Sequence, residues 1–407
     1  MELSGIRSLD HLDPGERTVF VRVDFNVPLD PNGVITDDGR IQAALPTLRA
    51  LREKGARLVL GSHLGRPKGQ RDARSSMVPI GARLAELLRT EIVVPDDCVG
   101  DGVRAVIRDL PPGGICLLEN LRWYEAETAG DPVFASELAA LAEFYVSDAF
   151  GTAHRAHAST YTMVRHFDES HRAAGLLVEK ELRFLGPLLE GPERPYVGIL
   201  GGAKVSDKIK VIEALLGKLD VLLIGGAMAN TFLRAQGVET GTSRVEEDRL
   251  ELAASLLRSA EARRTRVVLP VDHRVALAID AKEAQTTEQS AVPAGLAAFD
   301  IGPRTTQMYC DIVKDAATVF WNGPLGVFES DVFSAGTFAV ANACADSDAT
   351  VVVGGGDSAA AVVRAGLQNR IAHISTGGGA SLEFIEGATL PGIAALRAGH
   401  RFEVPGR

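Results

Sequence analysis

Short apolar runs rich in β-branched residues recur along this chain, and each is followed by a stretch with helical spacing. In the first half the runs are Thr18 to Val23, Arg57 to Leu60, Ile115 to Leu118 and Phe144 to Val146. In the second half they are Val197 to Leu200, Val221 to Ile224, Val267 to Leu269, Thr318 to Trp321, Val351 to Val353 and Ile371 to Ser375. Such alternation predicts parallel sheets with crossover helices, an α/β chain. Between the halves, Glu179 to Leu185 reads as an amphipathic helix, and Gly191-Pro192-Glu193-Arg194-Pro195 ends it. The expected organisation is a first domain over 1–175, a hinge helix over 176–190 and a second domain over 191–389. The connector lacks Gly/Ser-rich sequence, so it reads as a helix and not a floppy linker.

Length agrees with two domains, since 407 residues exceed one ordinary core. A formal net charge of −10 argues against a nucleic-acid-binding surface as the main function, while leaving room for a local basic pocket. No apolar run reaches the roughly 18 residues that span a bilayer. The Met1-Glu2-Leu3-Ser4 start has no basic segment followed by an apolar one, so a cytoplasmic protein without a secretory signal is expected. Cys98, Cys116, Cys310 and Cys344 lie far apart with no CxxC or metal spacing, and read as free thiols.

In open α/β sheets ligands bind beyond the carboxyl ends of the strands, so the residues after each run carry the chemistry. The first-half runs lead into Asp24-Phe25-Asn26, Gly61-Ser62-His63-Leu64-Gly65-Arg66, Glu119-Asn120-Leu121-Arg122 and Asp148-Ala149-Phe150-Gly151-Thr152-Ala153-His154-Arg155. Arg40, expected in a loop, can join them. Each arginine taken singly reads as a solvated charge. As a set on one sheet edge they fit a small anion, because a guanidinium fork matches two oxygens of a carboxylate or phosphate.

The second-half runs lead instead into Gly201-Gly202-Ala203-Lys204, Gly225-Gly226-Ala227, Gly354-Gly355-Gly356-Asp357-Ser358 and Gly377-Gly378-Gly379-Ala380. One glycine pair suggests only a tight turn. Four on one edge, each opening a helix, suggest a nucleotide, since glycine admits phosphate close to the backbone and a helix start offers free N–H groups. GxxxxGK[ST] is absent and no GxGxxG opens a βαβ unit, which disfavours P-loop enzymes and nicotinamide dehydrogenases. Lys204 and Lys208 lie four apart. If a helix starts there, both amines share one face at its positive end and call for an anion, unless Asp207 pairs with them. Asp357 reads as a helix cap, as a carboxylate toward nucleotide-bound Mg²⁺, or as both. Glu329 is either a surface acid or a ribose contact.

Seven stretches, in order, resemble the phosphoglycerate kinase family. They are Arg22-Val-Asp-Phe-Asn-Val-Pro28, Ser62-His-Leu-Gly-Arg-Pro67, Asp148-Ala-Phe-Gly-Thr-Ala-His-Arg-Ala-His157, Leu200-Gly-Gly-Ala-Lys-Val-Ser-Asp-Lys208, Trp321-Asn-Gly-Pro-Leu-Gly-Val-Phe-Glu329, Gly354-Gly-Gly-Asp-Ser358 and Ser375-Thr-Gly-Gly-Gly-Ala-Ser381. The resemblance runs almost end to end. It implies two Rossmann-like domains with a ligand cleft between them, a monomer, and a C-terminal tail over 390–407 that returns to the first domain. It implies reversible phosphoryl transfer between 1,3-bisphosphoglycerate and ADP, giving 3-phosphoglycerate and ATP, a reaction of glycolysis and gluconeogenesis.

By the same match, Asp24, Asn26, Arg40, His63, Arg66, Arg122, His154 and Arg155 hold the phosphoglycerate. Gly202, Ala203, Lys204, Lys208, Asn322, Glu329, Gly355, Gly356, Asp357 and Ser358 hold the magnesium nucleotide, with Asp357 the candidate to face the metal. Arg40, Lys204 and Lys208 act on the transferring group. The chain departs from the family's pattern at Leu296-Ala297-Ala298-Phe299-Asp300, at Ser147 and at Val271-Asp272-His273-Arg274. The departure at Ala298 puts a backbone contact to the nucleotide in doubt. A two-domain solute receptor is the rival outside enzymes, and it gives no reason for the Lys204/Lys208 pair.

Overall fold

The apolar runs become strands whose two faces are both covered, which is why they read as continuous and not alternating. In the computed structural model, which describes residues 5–402, the first six strands are β1 (Thr18–Val23), β2 (Arg57–Gly61), β3 (Ile92–Val93), β4 (Ile115–Leu117), β5 (Phe144–Asp148) and β6 (Arg172–Ala174). They form one parallel sheet in the order β3-β4-β2-β1-β5-β6. β1 is central, and five of its six residues are buried. Val19, Val21, Leu58, Leu60 and Val146 pack there with Ile41, Leu45 and Leu48 of the helix Gly39–Glu53.

The second half adds β7 (Tyr196–Leu200), β8 (Val221–Ile224), β9 (Arg266–Val268), β10 (His273–Ala276), β11 (Gln285–Thr286), β12 (Ala297–Ile301), β13 (Thr318–Asn322), β14 (Thr350–Gly354) and β15 (His373–Ile374). Six of these make a second parallel sheet, β15-β14-β13-β7-β8-β9. β10, β11 and β12 form a small antiparallel sheet in the order β11-β10-β12, which the sequence reading did not anticipate. The run Ile371 to Ser375 contributes only two strand residues.

Contacts divide the chain into two compact units. One runs to Arg183 and resumes at Thr389; the other is Phe184–Ala388. The helix Leu176–Glu190 carries the chain from one to the other. The described part of the tail lies on the first unit: the Gly392 amide donates to the Ala153 carbonyl at 2.8 Å, and Arg172 Nη2 donates to the Arg397 carbonyl at 3.0 Å. Met1–Ser4 and residues 403–407 lie outside the described residues.

The connector helix starts on a buried carboxylate. Asp148, at the end of β5, accepts the Leu177 amide at 2.9 Å. A side chain at Gly175 would collide with that carboxylate. Burial pushes the Asp148 pKa up to about 7, outweighing the donors from Thr47, Leu177 and Val178. A folded-state pKa above the unfolded 3.8 means the folded chain holds an extra proton between those values. This contribution to stability is therefore lost as pH rises from about 4 through 7. The Asp148→Asn variant lacks that loss. Its stability relative to wild type should rise by up to a few kcal/mol between pH 5 and pH 8 in denaturant titrations. A pH-independent difference would refute this account. The comparison with wild type matters because His157 and His273, with pKa values lowered to about 3 and about 4, chiefly by burial, impose the opposite slope on both proteins.

Candidate active site

The carboxyl edge of the first sheet sets Arg22, Arg40 and Arg122 about the buried His63, with Arg66 and Arg155 in the pocket that Arg122 also lines. Arg22, on β1, has no exposed surface. Its Nε donates to Ser159 Oγ at 2.7 Å, and Ser159 donates through Oγ (2.6 Å) and its amide (3.0 Å) to Glu127, also fully buried. The buried guanidinium is thus tied to a buried carboxylate through one hydroxyl, which satisfies the rule that buried charge needs a partner. Arg22 Nη2 also lies 3.4 Å from His63 Nδ1. A guanidinium can only donate, so Nδ1 accepts and the His63 proton resides on Nε2. Burial first, and then the charges of Arg22, Arg122 and Arg40, hold the His63 pKa well below its usual value, so the ring is neutral at pH 7.

Arg40 is ion-paired with the nearly buried Asp24. It lies at the second position of the helix Gly39–Glu53 and not in a loop as expected. Asp38-Gly39 resembles a turn in sequence, but it is where the helix begins. Asn26 Oδ1 accepts the Gly65 amide at 2.8 Å, and Arg122 Nη1 donates to the Gly65 carbonyl at 3.0 Å, so the turn that carries Arg66 is held from both sides. Asn120 supports Arg122 by accepting its amide at 3.1 Å. Burial lowers the Arg122 pKa, and the neighbouring Arg22 lowers it further. Arg66, Arg122 and Arg155 line one open pocket of about 350 Å³ with Lys68, Gly69, Thr128 and His157. His154 lies one residue before Arg155 in the chain and is not among the pocket's lining residues. Sequence reasoning assigned no role to Lys68 or His157. The charge of Lys68 beside Arg66, and the second histidine of His154-Arg155-Ala156-His157, were the available signals.

In the second unit the glycine ends of β7, β8, β13 and β14 converge. The Gly201 amide donates to the Asn322 carbonyl at 3.0 Å, Gly202 to Pro324 at 3.0 Å and Gly226 to Leu325 at 2.9 Å. Lys208 Nζ donates to Asn322 Oδ1, and Asn322 Nδ2 donates to the Gly354 carbonyl at 2.6 Å. One side-chain amide thereby orients the lysine and links the ends of β13 and β14. Burial lowers the Lys208 pKa, against the opposing pull of Asp207, Asp357 and Glu386.

The helix expected to carry both lysines begins only at Ile209. Lys204 lies in the preceding loop and is exposed, so the two amines do not share a helix face. Asp357 does not cap its helix either: Gly355 holds the cap position, and Asp357 is exposed in the first turn. Ser358 Oγ accepts the Gly323 amide at 2.5 Å. The Glu329 side chain is exposed, and its carbonyl accepts Arg364 Nη1 at 2.9 Å.

The glycines fall into two kinds. A side chain at Gly201, Gly225, Gly226 or Gly323 would run into the neighbouring strand end, whereas beside Gly202, Gly356, Gly378 and Gly379 the space is open. The open faces, in the unit that holds the half-buried Lys208, fit phosphate oxygens approaching the backbone. Among the described residues no cluster of three His, Cys, Asp or Glu can hold a metal ion.

A family model described as phosphoglycerate kinase matches residues 9–388. The chain belongs to the phosphoglycerate kinase family. It is 55% identical over 397 residues to a phosphoglycerate kinase of Anaeromyxobacter dehalogenans (strain 2CP-C), covering 96% of this chain and 99% of that one. It is 52% identical over 392 residues to one from Clostridium botulinum (strain Alaska E43 / Type E3), covering 96% and 98%. Among solved structures, the phosphoglycerate kinase from Coxiella burnetii superposes with a TM-score of 0.88 at 39% identity, covering 96% of this chain and 98% of that one. The phosphoglycerate kinase fold accounts for the two parallel sheets, and membership excludes the solute-receptor and dehydrogenase readings. Among the described residues no helix is long and apolar enough to cross a membrane.

Proposed function

We propose that the chain catalyses its family's reaction, reversible phosphoryl transfer between 1,3-bisphosphoglycerate and ADP giving 3-phosphoglycerate and ATP. The observation that supports this reading is a group of cationic side chains at the carboxyl edge of each sheet. One comprises Arg22, Arg40, Arg66, Arg122 and Arg155 with neutral His63; the other is Lys208 on glycine turns. In this reading Asp24, Asn26, Arg40, His63, Arg66, Arg122, His154 and Arg155 bind the phosphoglycerate. The turns at Gly202-Ala203 and Gly355 to Ser358 bind the nucleotide, with Lys204, Lys208, Asn322 and Glu329. A coupled assay of ATP-dependent phosphorylation of 3-phosphoglycerate tests it, and no turnover with folded protein would refute it.

The acceptor in the ATP-consuming direction is a carboxylate, already ionised at neutral pH, so no general base is needed. What remains is placement and cations where charge spreads over the transferring oxygens. Arg40 and Lys204 clamp that group. Arg66, Arg122 and Arg155 grip the distal phosphate, and neutral His63 donates through Nε2 without adding charge. Asp357 would hold the Mg²⁺ that arrives on the nucleotide, and the ion would supply further neutralisation of the phosphates.

In-line transfer requires the two ligands to meet, so we assign the helix Leu176–Glu190 as a hinge that closes when both are bound and excludes water. Small-angle scattering should record a smaller radius of gyration with both substrates than with either alone. Equal radii would argue against the hinge. A monomeric, cytoplasmic enzyme is the accompanying expectation, checked by sedimentation and fractionation.

A further inference from the structure

The loop that carries Lys204 has a carboxylate anchor outside the ligand-binding residues. Glu246 accepts the Val205 amide at 2.5 Å, the Ser206 amide at 3.2 Å and Ser206 Oγ at 2.6 Å. Two successive amides and a hydroxyl converging on one carboxylate make a nest, the local geometry that a helix start would otherwise supply. Here the helix begins only at Ile209, so the residues from Lys204 to Lys208 lack helical restraint. Glu246 is itself fixed, because its amide donates at 3.1 Å to Oγ1 of the buried Thr231 in the helix Ala227–Ala235. That helix opens at Gly226, one of the glycines packed against the ends of β7 and β13. The loop is thereby referred to the same frame as the glycine turns.

We propose that Glu246 is a positioning residue for phosphoryl transfer: it fixes the Val205-Ser206 backbone and so sets where the Lys204 amine reaches. The inference rests on the clamping role proposed for Lys204. The Lys204 charge also acts on the Glu246 carboxylate. A loop that carries a clamp must be held firmly, because a misplacement of about 1 Å can cost on the order of a hundredfold in rate.

The test compares Glu246→Ala, Ser206→Ala and Lys204→Ala with wild type in the ATP-consuming direction. Glu246→Ala should lower kcat about tenfold or more. It should leave the KM for 3-phosphoglycerate within about twofold of wild type, because that site lies on the other sheet. Ser206→Ala should fall the same way by less, and the double variant should be no worse than Glu246→Ala alone, since both remove one anchor. Loss of turnover in Lys204→Ala but not in Glu246→Ala overturns the positioning role and leaves the clamp intact. Full turnover in Lys204→Ala overturns the clamp and this inference with it. A Glu246→Ala defect that raises both KM values together with a lowered melting temperature overturns it in favour of a merely structural role.

Discussion

Arg40→Ala should lower kcat a few hundredfold, the equivalent of about 3–4 kcal/mol of transition-state stabilisation. The reason is its placement. Its guanidinium is held by the nearly buried carboxylate of Asp24. A preorganised cation of this kind needs no reorganisation when charge spreads in the transition state. Removing it also leaves Asp24 facing the anion site with the Asn26 amide, at 3.4 Å, and His63 Nδ1, at 3.9 Å, beside it. A neutral imidazole does not offset that charge. Position 40 is the second residue of a helix, where alanine is well tolerated, and its side chain is 37% exposed. Stability should therefore change little, and the melting temperature checks this. If Arg40 acts only in the transition state, kcat and kcat/KM fall together. A kcat within about threefold of wild type would remove Arg40 from the clamp.

Most of the fold was legible because both sheets are parallel and covered on both faces. Strands such as Phe144–Asp148 and Thr318–Asn322 are buried at every position, so they stand out as apolar runs. What escaped has the opposite character. β3 and β11 have two residues each, too few for a period, and β11 is fully exposed. The antiparallel sheet around His273–Ala276 lies in a polar stretch that gave no strand signal. At the site, the cations were legible because they follow strands directly. Their supports were not: Glu127 lies 32 residues from Ser159, and Glu246 lies 40 from Ser206. No local pattern marks such partners. The shared helix face for Lys204 and Lys208 failed for a physical reason. Glu246 satisfies the amides at Val205 and Ser206 in a loop conformation, so the helix starts later.

Gly201→Ala should destabilise the second unit severely, by about 3 kcal/mol or more, at the upper end for overpacking. The added methyl would overlap the Pro324 carbonyl oxygen and come within 2.7 Å of the Gly323 carbonyl oxygen. Both are backbone atoms, so no rotamer change relieves the clash. The reciprocal substitution at Gly323 meets the Gly201 carbonyl, and Gly323 also has φ of 101°, which a side chain rarely adopts. These glycines thus serve first to let the ends of β7 and β13 touch backbone to backbone. That contact includes the Gly201 amide bond to Asn322, the residue that orients Lys208. Gly356 is the counterpart. It opens a helix and faces open space, so Gly356→Ala should fold as well as wild type or gain up to about 1 kcal/mol. Its cost should fall on the ligand, as a methyl placed where phosphate approaches raises the KM for ATP. Denaturant midpoints and nucleotide KM values for the two variants separate these roles. A Gly201→Ala protein with a wild-type midpoint would refute the packing account. A Gly356→Ala protein with unchanged nucleotide KM would place the phosphates elsewhere.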